Sequence, residues 1–104
     1  IARLIDALGG NELSAYGLCH LGDYEATLFS PYSHNRMFGE KFVKNEPYTD
    51  LAEGYYAVDA LLRLGKTVSA DLPICRAVYN VLYKGENAHD EVNALFTRSI
   101  KNEF

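Results

Sequence analysis

The sequence predicts an all-α fold, a compact bundle of about six helices in one domain covering residues 1–104. Three observations carry that prediction. Apolar residues recur at the i, i+3, i+4 spacing of an amphipathic helix in one segment after another. No segment shows sustained period-2 alternation bounded by hairpin turns. Glycine, proline and capping residues fall between the periodic stretches, at the intervals of short helices. With 104 residues, 48% of them hydrophobic, the chain has the material for one core. Its content of Tyr, Phe, Leu and Val excludes disorder.

The elements follow in order. Ile1, Leu4, Ile5 and Leu8 lie at i, i+3, i+4, i+7, and Gly9-Gly10 ends that helix because glycine tolerates the left-handed cap conformation. Asn11 caps a second helix through residues 13–29, with Leu13, Tyr16, Leu18 and Leu21 expected in the core. Ser30-Pro31 closes it, since the residue before proline is pushed out of the α region. Ser33 is the expected N-cap of a third helix through Met37, Phe38 and Phe42. After the turn Asn45-Glu46-Pro47, a longer helix carries Leu51, Tyr55, Val58, Leu61 and Leu62 and closes at Arg63, Gly65 and Lys66. Asp71-Leu72-Pro73 reads as an N-cap followed by proline in the first turn of a fifth helix, with Ile74, Val78, Val81 and Leu82 on its apolar face and Gly85 at its end. Asn87, Asp90 and Glu91 begin the last helix, which carries Val92, Leu95 and Phe96.

Charge and composition exclude several function classes. Fourteen acidic against ten basic side chains give a net charge of -4, a poor match for phosphate polymers, so no nucleic-acid partner is expected. No apolar run approaches the roughly 20 residues of a membrane span, and no membrane partner is expected. Cys19 and Cys75 form no spaced framework; they fit a reducing, cytoplasmic setting as small buried hydrophobes. Cys19-His20 is adjacent rather than spaced as C-x-x-C, and His34 and His89 have no paired partner, so no metal site is expected. Gly9-Gly10 follows a helical pattern rather than a strand, so it does not make a dinucleotide loop. The chain opens at Ile1, inside an apolar repeat and without Met, which looks like a piece of something longer.

One constellation carries chemistry. Residues 18–39 read LCHLGDYEATLFSPYSHNRMFG. On a continuous helix Cys19, Asp23 and Thr27 share a face, offering a carboxylate acceptor and a hydroxyl on adjacent turns. Gly22 removes a side chain beside that carboxylate, so that backbone or ligand could approach. Ser33-His34-Asn35 opens the next helix, where free N–H groups and the helix dipole favour an anion. Together these supply groups for polyol hydroxyls and a phosphate. The plainer alternative is a solvated Asp23, a packing contact at Gly22 and a simple cap at Ser33.

The order of these motifs resembles NAD(P)-dependent glycerol-3-phosphate dehydrogenase. Gly22-Asp23, Thr27 and the run Ser33-His34-Asn35-Arg36-Met37-Phe38-Gly39 look like that family's substrate-binding signature, GD-x-x-x-T followed by S-x-N-R-x-F-G. Ala52-Glu53-Gly54-Tyr55 resembles its V-E-G-Y element. Leu72-Pro73-Ile74 with Val78-Tyr79-Asn80-Val81-Leu82-Tyr83-Lys84-Gly85 resembles its M-P-I and V-Y-x-V-L-Y-x-G elements. The similarity runs through nearly the whole chain, in order.

The resemblance implies the C-terminal helical domain of an enzyme like 6-phosphogluconate dehydrogenase. An N-terminal Rossmann domain would bind NAD or NADP, and the general acid/base lysine would lie upstream, so no catalytic residue is assigned here and this piece alone should be inactive. The implied reaction is reversible hydride transfer between NAD(P)H and dihydroxyacetone phosphate, giving sn-glycerol 3-phosphate for phospholipid synthesis, in a homodimer. By the same resemblance Asp23 and Thr27 would hold oxygens near the reacting carbon, while Ser33, His34 and Asn35 would hold the phosphate. Leu51, Glu53 and also His34 would meet the cofactor. A divergent dehydrogenase acting on another small hydroxy substrate, or a non-catalytic helical interaction module, are the alternatives.

His34 departs from the family's arginine. An imidazole with an ordinary pKa of about 6.5 is mostly neutral at pH 7. His34 could become protonated as phosphate binds, Arg36 could supply the charge, or the substrate could differ; the first is favoured. The stretch between Gly39 and Glu53 is also shorter than the family's.

Overall fold

The chain is described here by a computed structural model covering residues 1–99, and among the described residues every regular element is helical. Six α-helices run α1 (Ala2–Ala7), α2 (Asp23–Thr27), α3 (His34–Val43), α4 (Glu53–Thr67), α5 (Pro73–Lys84) and α6 (Ala88–Thr97). The all-α, six-helix expectation is met. No helix among the described residues is long and apolar enough to cross a membrane.

The predicted punctuation holds at most boundaries. Gly9 (φ +82°) and Gly85 (φ +70°) take the left-handed conformation that ends α1 and α5. Ser33 and Asn87 cap α3 and α6, accepting the backbone N–H groups of Arg36 (3.3 Å) and Asp90 (3.1 Å). Pro73 opens α5, where a missing N–H costs nothing. Three expectations shift. Leu51, expected on the fourth helix, lies ahead of α4, which begins at Glu53. The N-cap position of α5 is Leu72, and Asp71 instead binds the Arg76 guanidinium at 2.8 Å. Helix α4 continues past Gly65 to Thr67, because Gly65 is buried where the chain doubles back over it. A Cβ there would stand 3.0 Å from Leu72 Cδ1 and 3.1 Å from the Ala70 carbonyl.

The continuous helix expected over residues 13–29 is not formed. Glu12–Tyr16 is a 3-10 turn and Leu18–Gly22 a π turn, with only Asp23–Thr27 regular α. Residues expected in the core are exposed instead: Leu13 at 65%, Tyr16 at 49%, Leu18 at 89% and Leu21 at 39%. Cys19 is exposed as well, and Cys75 only half-buried, so the thiols are not the buried hydrophobes expected. Gly22 makes room for its own preceding turn, since an added Cβ would meet Leu18 Cδ2 at 3.2 Å. The reason is packing. The contacts of this region are mainly with its neighbours in sequence, α1 with the 3-10 turn, that with the π turn, and the π turn with α2, while Ile1, His20, Leu21 and Tyr24 only border a hollow at the start of α5. An apolar stripe alone does not hold a helix straight where no other element lies against it.

The remaining helices pack on one another, α3 on α4, α4 on α5 and α5 on α6. The residues buried along the described chain are mostly small, with Ala2, Leu4, Ala15, Ala52, Val58, Leu72 and Ala77 below a tenth exposed. Aromatic rings do much of the joining. Phe38 on α3 meets Tyr55 on α4 edge-on at 5.9 Å, and Tyr55 stacks on Tyr83 of α5 at 4.7 Å. The Tyr83 hydroxyl donates to the Tyr55 carbonyl, tying α5 to α4 a second time. Phe42, Ile74, Val78, Val92 and Leu95 face an apolar cleft of about 400 Å³ among α3, α5 and α6.

Candidate functional site

The first turns of α3 and α4 meet, and one side chain joins them. Ala52 stands at the N-cap position of α4 without a capping side chain of its own. Asn35, the second residue of α3, fills that role, its Oδ1 accepting the Gly54 N–H at 2.9 Å. A β-carbon on Gly54 would lie 3.0 Å from that oxygen, so glycine lets Asn35 come this close without being pushed back. This explains locally why the sequence has Gly after Glu53.

Between the two helix ends lies a cavity of about 410 Å³ lined by Ser33, His34, Asn35, Asp50, Leu51 and Glu53. Its α3 end is rich in donors. Asn35 commits only its carbonyl oxygen to Gly54, which leaves two amide hydrogens on Nδ2. Ser33 Oγ accepts from Arg36 N–H, which leaves the hydroxyl hydrogen available. The N-terminal dipole of the ten-residue α3 adds partial positive charge. The α4 end offers acceptors and apolar surface: the exposed carboxylates of Asp50 and Glu53, and Leu51 at 63% exposure. Such a cavity suits a ligand with an anionic group at one end and hydroxyls or an apolar ring at the other.

His34 is the first residue of α3, and its Nδ1 lies 2.7 Å from the Tyr48 hydroxyl. Partial burial, with the Asp50 carboxylate adding to it, raises the Tyr48 phenol above its ordinary value of 10.0, so the hydroxyl stays neutral. Arg36, the alternative cation, is engaged away from the cavity: Nε donates to the Ser30 carbonyl at 2.8 Å and Nη1 to Glu40 at 3.1 Å. Glu40 also takes the Lys44 ammonium at 2.7 Å, and Lys44 first, then Arg36, holds its carboxyl below the ordinary value.

The structure thus brings together Ser33, His34, Asn35, Leu51 and Glu53, which the sequence separates by up to 20 positions. Asp23 and Thr27 do not line this cavity. Asp23 is exposed at the start of α2, and Thr27 Oγ1 donates to the backbone carbonyl of Asp23 at 2.9 Å rather than outward. The π turn before Asp23 also removes the straight i, i+4 alignment with Cys19. Tyr48 and Asp50 belong to the neighbourhood of the site but were missed in sequence, where their segment reads only as a turn. The polar pair His34–Tyr48, 14 positions apart, leaves no periodic signal.

Comparison with known proteins gives the family. The family model described as NAD-dependent glycerol-3-phosphate dehydrogenase C-terminus matches residues 1–93. A glycerol-3-phosphate dehydrogenase [NAD(P)+] of Thermus thermophilus is 39% identical over 108 residues, covering 99% of this chain and 34% of the relative. One from Exiguobacterium is 37% identical over 110 residues, with 99% and 32% covered. A glycosomal glycerol-3-phosphate dehydrogenase [NAD(+)] of Leishmania mexicana is 33% identical over 110 residues, with 99% and 30% covered. The chain spans about a third of the length of these curated relatives. On the match over residues 1–93, the chain belongs to the family of NAD-dependent glycerol-3-phosphate dehydrogenase C-terminal domains.

Proposed function

We propose that this chain is the substrate-side helical domain of an NAD(P)-dependent glycerol-3-phosphate dehydrogenase, which interconverts dihydroxyacetone phosphate and sn-glycerol 3-phosphate and supplies the latter to phospholipid synthesis. The observation that supports the reading best is the gathering of Ser33, His34, Asn35, Leu51 and Glu53 around one cavity, donors at one end and acceptors at the other. The α3 end takes the substrate phosphate: Ser33 Oγ–H, Asn35 Nδ2–H and the ring N–H of His34 donate to its oxygens. Leu51 and the Glu53 carboxylate, which line the cavity, would meet NAD or NADP. When bound, that cofactor supplies the hydride. Asp23 and Thr27 approach the polyol oxygens from α2 once an upstream region completes the site, and the general acid/base lysine comes from that region. The exposed apolar side chains Leu18, Phe29, Tyr32 and Phe96, each above 80% exposed, are surface for such a region or for a second subunit of a homodimer. The setting is cytoplasmic.

The test uses a protein of its relatives' full length that carries this chain. NAD(P)H oxidation should depend on dihydroxyacetone phosphate and fall at least about 100-fold in Asp23→Asn, roughly 2.7 kcal/mol of barrier. Absence of turnover with either cofactor in the folded protein would leave the interaction module standing instead. His34 protonation on binding adds a second expectation. Substrate affinity weakens as pH rises from about 6 to 8.5, and His34→Arg flattens that dependence.

A further inference from the structure

We propose that Tyr48 is a positioning residue for His34, holding its imidazole in the tautomer that presents Nε2–H to a phosphate oxygen in the cavity. This rests on the dehydrogenase reading for the identity of the phosphate, but not for the tautomer.

The geometry fixes which ring nitrogen is free. Nδ1 is 2.7 Å from the Tyr48 hydroxyl, and Nε2 has no hydrogen-bond partner among the described residues. His34 lines the cavity, whereas Tyr48 does not; it lies behind the ring in a neighbouring hollow with Phe38, Tyr55 and Tyr56. Tyr48 is itself held, half-buried, with Phe38 edge-on at 5.8 Å and the imidazole at 6.4 Å and 66°. The Tyr48 side chain is therefore a fixed post on the strap between α3 and α4.

The chemistry then selects the tautomer. A neutral imidazole has one N–H and one lone pair, and a phenol hydroxyl is a better donor than the imidazole N–H. Tyr48 O–H therefore donates to Nδ1, and the ring proton sits on Nε2. When the ring is protonated, the phenol rotates its hydrogen away and accepts from Nδ1–H, and Nε2 keeps its proton. Nε2 is a donor in both charge states. One directed N–H therefore survives when the positive charge does not. The groups facing the ring are Tyr48 from the strap, the carboxylates of Asp50 and Glu53 across the cavity, and Ser33 and Asn35 on its own helix end. The carboxylates offer acceptors that would compete for Nε2–H if the ring could swing, which is what the post prevents.

Two measurements on the full-length protein decide it. The first is the nitrogen-15 spectrum of histidine-labelled protein with the imidazole neutral, His34 being assigned by its loss in His34→Arg. The Nε2–H tautomer is expected for wild type, and a mixture of tautomers for Tyr48→Phe. A wild-type Nδ1–H tautomer, or an unchanged spectrum in Tyr48→Phe, overturns the proposal. The second is steady-state kinetics. Tyr48→Phe should raise one KM about fivefold with little change in kcat, and should have no effect on KM in a His34→Arg background. A rise in the KM for dihydroxyacetone phosphate assigns the oxygen to the substrate, and a rise in that for NAD(P)H assigns it to the cofactor's diphosphate. An equal rise with and without His34, or no rise in either, overturns the positioning role. If dihydroxyacetone phosphate is not turned over while the tautomer shift is seen, the dehydrogenase reading falls and the positioning stands.

Discussion

Residues 1–33 and residues 34–97 carry the same kind of apolar periodicity, yet they fold differently. The later region forms four helices of 10, 15, 12 and 10 residues, joined across elements by Asn35 to Gly54 and by Tyr83 to Tyr55. The earlier region breaks into short α, 3-10 and π pieces, with local hydrogen bonds such as Ser14 Oγ to the Asn11 carbonyl and Cys19 Sγ to the Ser14 carbonyl. Periodicity states that a face is apolar. Whether a regular helix results depends on a second element being present to cover that face.

Substitutions in the two regions should therefore differ in cost. The largest contrast is between two helical glycines. Gly65→Ala pushes a Cβ against buried Leu72 and the Ala70 carbonyl and should destabilise by about 2 kcal/mol in urea unfolding. Gly22→Ala presses closely only on the exposed Leu18 side chain (3.2 Å), the Gly17 carbonyl being in ordinary contact at 3.6 Å, in a helical backbone (φ −63°), and should be neutral or stabilising by up to about 1 kcal/mol. Equal losses at the two sites would erase the distinction between the regions. A smaller contrast separates Val58→Ala, which empties a site 6% exposed and should cost about 1–2 kcal/mol, from Leu18→Ala, which should stay within about 0.5 kcal/mol.

Titration sharpens the comparison within the later region. Burial first, then the neighbouring Tyr55, raises the Tyr83 phenol above its ordinary value of 10.0. The folded state therefore favours the protonated phenol. That contribution is complete below the unfolded value and is lost as pH rises through the raised one. Tyr83→Phe should remove this part of the alkaline sensitivity and lower the neutral-pH midpoint less than Gly65→Ala does. The smallest effect belongs to Glu40, whose carboxyl is lowered from 4.5 by Lys44 and then Arg36. Its contribution is present above that ordinary value and disappears as pH falls through the lowered one, so Glu40→Gln should slightly flatten the acid limb of a pH-stability curve.

Much of the later region could be read in advance because its boundaries are chemical. Ser33 and Asn87 cap, Pro73 opens and Gly85 closes, and each acts within four residues of itself. The site was legible in part for a similar reason: Ser33, His34 and Asn35 are consecutive at a helix start, and Leu51 and Glu53 flank another. What sequence could not show was that these two starts face each other, or that Asn35 is the cap of α4 as well as a donor to the cavity. Tyr48 lay beyond the same horizon, because a contact between a turn and a helix end has no spacing rule. The 3-10 and π turns escaped because i+3, i+4 and i+5 hydrogen-bonding patterns draw on the same apolar spacing over so few residues.

The double duty of Asn35 has a consequence for how the two helices would feel a ligand. A carboxamide is one conjugated plane, so charge drawn at its nitrogen is returned at its oxygen. When an anion takes the Nδ2 hydrogens, electron density at Oδ1 rises, and the bond to the Gly54 N–H strengthens with it. Occupying the mouth of α3 would therefore tighten the tie between the first turns of α3 and α4. The amide would thus couple a ligand held at the α3 end to the first turn of α4.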